Sequence, residues 1–379
     1  MTLCAFALVA SEFMPVSLLT PIAADLNISE GLAGQAISVS GAVAVLTGLF
    51  ISTLAGGANR KSVLLWMTGL MAISGPVIAL APNYTIYMAG RVFIGIAIGG
   101  FWSLSAAAAM RLVPVAQVPR ALAIFNGGNA LATVVAAPLG SYLGSLIGWR
   151  GTFFCLAPVA LLALAWQWVS LPPMKAEQGG RAPGKVLALL KEPVAALGMA
   201  AAGLFFMGQF ALFTYLRPFL ETVTGVGVST LSLMLLATGV AGFVGTVLIG
   251  AFLKKSFYGT LVAIPILMAL LALALIAAGA SLPAVAVLLG AWGLVATAAP
   301  VGWWTWVTRT MPRQAEAGGG LMVAVVQLSI GLGSTAGGLL FDMRGYRSTF
   351  VLSAVLLLIS ACAAWLASRA EHRKTFNSL

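Results

Sequence analysis

The sequence predicts an all-α, polytopic membrane protein of twelve transmembrane helices built as two six-helix repeats, and three observations predict it. Of 379 residues, 61% are hydrophobic and only 8% charged, whereas soluble domains are usually about a quarter charged. Apolar runs of 18 residues or more follow one another from end to end. They are long enough to cross ~30 Å of hydrocarbon as helices, and too long and unalternating for barrel strands. Finally, signals recur about 197 to 200 residues apart: Gly148-Trp149-Arg150-Gly151-Thr152-Phe153 with Gly345-Tyr346-Arg347-Ser348-Thr349-Phe350, Pro21 with Pro218, and Arg111 to Pro114 with Arg309 to Pro312. Several echoes in one register are the mark of an internal repeat.

Cutting the chain at its polar breaks places helices near 2–23, 33–55, 62–80, 86–109, 120–146, 151–171, 194–219, 229–252, 258–279, 283–307, 316–341 and 349–368. The first run could pass for a secretory signal, but no basic segment precedes it and Glu12 interrupts it, so it reads as a spanning helix with room for a leading tail. The stretch 172–192, with Pro172, Pro173, Gly179, Gly180 and Pro183, reads as a cytoplasmic linker between six-helix bundles at 1–171 and 193–379. Within it, Gly179 and Gly184-Lys185 resemble a phosphate-binding loop only superficially: Val186 stands where Ser or Thr would hold magnesium, and no strand precedes it. Glycines four apart, Gly95 with Gly99, Gly140 with Gly144 and Gly148, and Gly333 with Gly337, suit close helix contacts. Cys4, Cys155 and Cys362 have neither disulfide nor metal spacing.

A formal charge of +11 raises the question of nucleic acid, and position answers it. With the N-terminus inside, about fifteen Lys and Arg residues fall in cytoplasmic breaks, among them Arg60, Lys61, Arg111, Arg120, Lys175, Arg181, Lys185, Lys191, Lys254, Lys255, Arg309, Arg313, Arg369, Arg373 and Lys374. Arg150, Arg217, Arg344 and Arg347 fall outside. This asymmetry puts both termini on the cytoplasmic side of an inner membrane, the basic residues facing anionic lipid and not nucleic acid.

Ionisable residues at bilayer depth are costly and mark function. Glu12 is the one acid placed deep in a helix. It is a candidate proton carrier, the alternative being a protonated carboxyl that ties two helices. Arg91 shares a stripe of helix four with Gly95, Gly99 and Trp102. Its partners are Glu12, helix carbonyls or a substrate, unless it snorkels to the interface, the reading given to Arg217. Asn126, Asn129 and Thr133 share a face of helix five, and Phe206, Gln209 and Phe213 one of helix seven. Gln327 interrupts helix eleven, and Trp303, Trp304 and Trp306 crowd helix ten. Amides beside aromatic rings suit a flat heteroaromatic ligand, stacked and read along its edge. Interhelical amide bonds and interfacial tryptophans are the structural alternative. From these stripes Trp102, Asn126, Asn129, Phe206, Gln209, Phe213, Trp304 and Gln327 are taken as substrate-binding candidates. The sole histidine, His372, lies in the polar tail, and no catalytic or metal-ligating constellation is evident, so neither enzyme chemistry nor a cofactor is expected.

Twelve helices in two halves, Arg91 followed by Gly95 and Gly99, and Ala137-Pro138-Leu139-Gly140 followed by Gly148-Trp149-Arg150 resemble the major facilitator superfamily, in its drug:proton antiporter branch. The segments Glu12 to Pro21, Gly99 to Trp102, Gly208 to Pro218 and Pro300 to Trp303 are similar to those of purine ribonucleoside exporters in that branch. The resemblance implies export of inosine- or guanosine-like solutes in exchange for protons, so that the proton gradient is the energy source; alternating access by a monomer is the mechanism expected. A multidrug or sugar exporter of the same fold and a non-transporting receptor are the alternatives. One departure stands out: Gly56 and Asn59 occupy the places of the superfamily's Asp and Gly ahead of the Arg60-Lys61 pair. That puts the usual charge-relay latch in doubt.

Overall fold

The structure, a computed structural model, describes residues 1–114, 117–174, 188–311 and 315–376. A few side chains within these ranges, Asn126 among them, fall outside the description. So do residues 175–187 of the expected linker, with Lys175, Arg181, Lys185 and the glycines near it, and so do Arg313 and the side chains of Arg111, Arg120 and Lys374. Among the described residues every regular element is helical, as an apolar chain that must pair its backbone groups internally requires.

The chain divides into two compact units, Met1–Ala182 and Pro183–Leu379. In the first, α1 (Thr2–Ser17) and α2 (Leu19–Leu26) form one span bent by 67°, where a single straight helix over 2–23 was expected. Pro15 lies inside α1, and Leu18 leaves helical geometry at φ −115°, ψ 9°; a proline removes one ladder donor and crowds the carbonyl four residues back. Asn27, at φ 53°, closes α2. Ser29 caps α3 (Glu30–Ala55) by accepting from the Leu32 amide at 3.1 Å. Asn59 caps α4 (Arg60–Ala79) through the Lys61 amide and also accepts from the Met174 amide at 2.9 Å. Then follow α5 (Tyr84–Arg111), α6 (Val118–Phe154) and α7 (Leu156–Ser170).

The second unit opens with α8 (Pro193–Phe213), which ends six residues before the expected limit and passes through the turn Leu216–Phe219 into a π-helical turn, Leu220–Thr224. Next come α9 (Val228–Lys255) and α10 (Phe257–Ala278). The expected helix at 283–307 is broken near Thr297 into α11 (Leu282–Ala296) and α12 (Ala299–Thr310). Last come α13 (Ala315–Arg344) and α14 (Tyr346–Phe376), the latter running past its apolar core into the charged tail.

Among the described residues ten helical stretches are long and apolar enough to span a membrane, and the bent α1–α2 pair makes eleven. One of them, Gly127–Ser170, has 44 residues, about 66 Å at 1.5 Å per residue and twice the hydrocarbon thickness. Gly148 divides it, at φ 74° and ψ 166°, giving twelve crossings. Gly345, its counterpart 197 residues on, has φ 75°, a left-handed region that glycine enters without a Cβ penalty. Gly148 is thus a turn glycine, with open space where a Cβ would go, and not the packing glycine that its spacing suggested.

The other paired glycines do pack. A Cβ on Gly95 would meet the Ser40 carbonyl oxygen of α3 at 2.6 Å, and one on Gly140 the Ser17 hydroxyl of α1 at 2.6 Å. Gly333 and Gly337 bring α13 against the Met207 and Ala211 carbonyls of α8. Helix pairing repeats: α1 packs on α6, α3 on α5 and α4 on α7, while α8 packs on α13, α9 on α11 and α10 on α14. In α14, Ser353 and Ser360 donate to the Gly208 and Ala201 carbonyls of α8, at 2.6 and 2.8 Å.

Candidate functional site

The polar centre of the first unit begins with a missing amide. Pro15 has no N–H, so the Ser11 carbonyl four residues back in α1 lacks its helical donor. Arg91 of α5 supplies one: its Nη1 donates to Ser11 O at 2.8 Å. Its Nη2 donates to Glu12 O at 3.3 Å and Ser40 Oγ at 2.9 Å, and its Nε to Ala36 O at 3.0 Å. The side chain is fully buried and joins α1, α3 and α5. Of the partners considered from the sequence, helix carbonyls accept the hydrogen bonds, that of Glu12 among them, and burial excludes the snorkelling alternative. Ser11, Ser40 and Pro15 were not foreseen. The signal was in the sequence, since a proline inside a spanning helix leaves one carbonyl that some donor must reach.

Glu12 is 5% exposed, and its carboxyl lies close enough to Arg91 to interact electrostatically. It stands on α1 away from Ser17 and Leu18, which face Gly140 and Gly144 of α6. Trp102, half-buried, meets Phe101 and Phe125 edge-on with centroids at 6.2 and 5.6 Å. Asn129 is half-buried, and its carbonyl accepts from the Thr133 hydroxyl at 2.9 Å.

In the second unit, Gly203, Met207 and Ala211 face α13, and Gly208 faces α14. The stripe Phe206, Gln209 and Phe213 therefore lies on another face of α8. Phe206 is buried and Phe213 half-buried; they meet Phe205 and Phe210 edge-on, at 5.3 and 6.0 Å. The Gln209 Oε1 is buried with no hydrogen-bond partner, a state that costs about 1–3 kcal/mol. Gln327 of α13 is 8% exposed. Trp303 and Trp306 are buried, the Trp306 indole donating to the Tyr258 hydroxyl at 3.1 Å, while Trp304 is 42% exposed beside Gly319. Arg217 corrects its snorkelling assignment: it is 7% exposed, and its Nε donates to Glu221 Oε1 at 2.8 Å, four residues on.

The family model for the Major Facilitator Superfamily matches residues 1–333. The chain belongs to the major facilitator superfamily. A relative from Pseudomonas aeruginosa named Transcription regulatory protein OpdE is 65% identical over 373 residues, covering 97% of this chain and 92% of its own. The purine ribonucleoside efflux pump NepI of Salmonella enteritidis PT4 is 41% identical over 358 residues, covering 94% of this chain and 90% of its own. Among solved structures, the nucleoside transporter NupG matches with a TM-score of 0.76 at 14% identity, over 97% of this chain and 98% of that one. A POT family transporter in complex with 5-aminolevulinic acid matches with a TM-score of 0.77 at 12% identity, over 95% and 93%. These two likenesses agree in fold with the family match, which together with the apolar helices makes this a multi-pass membrane protein of major facilitator architecture.

Proposed function

We propose that this protein is a proton-coupled secondary transporter of the bacterial inner membrane that exports purine ribonucleosides, inosine- or guanosine-like, by alternating access. The observation that carries the reading is the 41% identity to a purine ribonucleoside efflux pump across 94% of the chain. Glu12 takes an external proton as the solute leaves and gives it up inside, which permits rebinding; Arg91 tunes that step. The protein works as a monomer and without a cofactor. For a neutral solute, one proton per cycle moves one charge, worth about 2.3 kcal/mol per 100 mV. At about 1.4 kcal/mol per tenfold, that sustains a roughly forty- to fiftyfold outward gradient.

Uptake of radiolabelled inosine into inverted vesicles, with and without a proton gradient, tests the proposal. Accumulation should need the gradient and collapse with a protonophore; flux no greater than in vesicles lacking the protein ends the reading. Orientation is tested separately. In a background without native cysteines, a cysteine at Gly57 should resist an impermeant external thiol reagent and one at Asn83 should react; the reverse pattern inverts the topology. The name of the 65% identical relative favours a second reading, a membrane receptor that binds a solute and moves none. Nucleoside binding to purified protein with no flux in the vesicle assay would select it.

A further inference from the structure

The repeat register pairs positions across the two units. At an offset of 197, Glu12-Phe13 falls on Gln209-Phe210, Ser17 on Thr214 and Pro21 on Pro218. The correspondence is structural as well, since α1 packs on α6 as α8 packs on α13. Further along, at an offset of 198, Gly95 approaches the Ser40 carbonyl as Gly293 approaches that of Thr238. Glu12 and Gln209 are therefore counterparts: the same carbon skeleton, one ending in a titrating carboxyl and the other in an amide that does not titrate.

Their flanks differ in kind. Three residues before and four after Glu12 stand Val9 and Val16, both buried; at the matching places around Gln209 stand Phe206 and Phe213. An acid between two aliphatic side chains is a place for a proton. An amide between two aromatic rings offers stacking faces for a flat heterocycle, and an Oε1 that no described residue satisfies calls for a donor from a ligand. Resting on the nucleoside-export reading, we infer that the two counterparts divide the work: Glu12 takes the proton, and Gln209 takes the base, its Oε1 accepting the ring N–H of a 6-oxopurine lactam edge. The acceptor then stays unchanged through every protonation state of the cycle.

The test is a double-mutant cycle on purified protein, with inosine and 1-methylinosine as probes, the methyl group replacing the ring N–H. In the parent, methylation should weaken binding roughly tenfold, as loss of one buried hydrogen bond does. Gln209→Leu should bind inosine roughly tenfold more weakly and then be nearly indifferent to methylation. Gln209→Glu keeps an acceptor and should keep the discrimination. Equal losses on methylation in the parent and in Gln209→Leu overturn the inference. So does a parent that ignores methylation, a result that needs no variant to fold. A parent that binds neither nucleoside removes the export reading itself, whereas one that binds both alike removes only the role of Gln209.

Discussion

Position 15 of the first unit is proline and its counterpart in the second, 197 residues on, is Leu212; position 91 is arginine and its counterpart, 198 residues on, is Leu289. Both leucines are buried, at 0% and 1% exposure. The two changes go together for a reason. Leu212 keeps its amide, so the second unit has no equivalent of the carbonyl orphaned by Pro15, and no arginine is called for. In the first unit the proline strands the Ser11 carbonyl and Arg91 answers it at 2.8 Å. Two copies of one helix plan thus differ in where they hold charge, the first keeping Glu12 and Arg91 and the second presenting Gln209 and Leu289 at the same places.

If charge in the first unit carries the coupling, the largest effect belongs to Glu12→Gln, which gives it the second unit's side chain. The variant should fold and bind nucleoside, because the amide imitates the protonated carboxyl, yet lose acidification-driven accumulation altogether. Parental accumulation in proteoliposomes would make Glu12 a structural residue. On the substrate side, Gln209→Ala and Asn129→Ala should each weaken nucleoside binding by about 1–3 kcal/mol. Unchanged titrations in folded protein would remove them from the site.

A middle-sized effect sharpens the proline–arginine comparison. Arg91→Leu forfeits four interhelical hydrogen bonds, about 2 kcal/mol at ~0.6 kcal/mol each. Adding Pro15→Leu restores a donor to Ser11, so the double variant should be more stable than Arg91→Leu alone. Thermal unfolding in detergent measures this, and simple additivity would break the link. Arg91→Lys keeps the charge but loses the planar fork, and should slow flux without abolishing coupling. The smallest effect should come from the end of the first unit, where Arg150 pairs with Asp25 and stacks on Trp149 at 4.3 Å, while the counterpart Arg347 lies over Tyr346. Both paired side chains are more than a third exposed, so Asp25→Asn should cost about 0.2–1 kcal/mol. A larger loss would show that charge, and not packing, holds that end.

Run length and repeat register carried the fold in the sequence, because a crossing needs about twenty apolar residues whatever their identity. Local breaks were harder to read. The 67° bend at Leu18 and the split near Thr297 fall inside apolar runs whose polar residues and prolines, Ser17, Thr20 and Pro21 in the first and Thr297 and Pro300 in the second, are too scattered to end a crossing. At the site, the depth of Glu12 and Arg91 was legible, since charge in an apolar run stands out. Which acceptors Arg91 meets depends on helix packing, although Pro15 had announced one of them. Arg217 was read as an interface residue although Glu221, four residues on, was in plain view; the pair is visible as spacing, but its burial is not. Of three clustered tryptophans, Trp303 and Trp306 share a face and are buried, and Trp304 turns about 100° away to 42% exposure.

The left-handed glycines at 148 and 345 have a practical consequence for anyone labelling this protein. Each reverses the chain within a residue or so, leaving at that end of the helix pair almost no loop to carry an epitope, a protease site or a fluorophore. An insertion between residues 147 and 150 would push two helices out of register, whereas the exposed turn at Gly57 and Ala58, which follows α3 and precedes the Asn59 cap of α4, can lengthen without shifting either neighbour. Reporters belong in the second place, and silence from a reporter in the first says nothing about which side of the membrane it occupies.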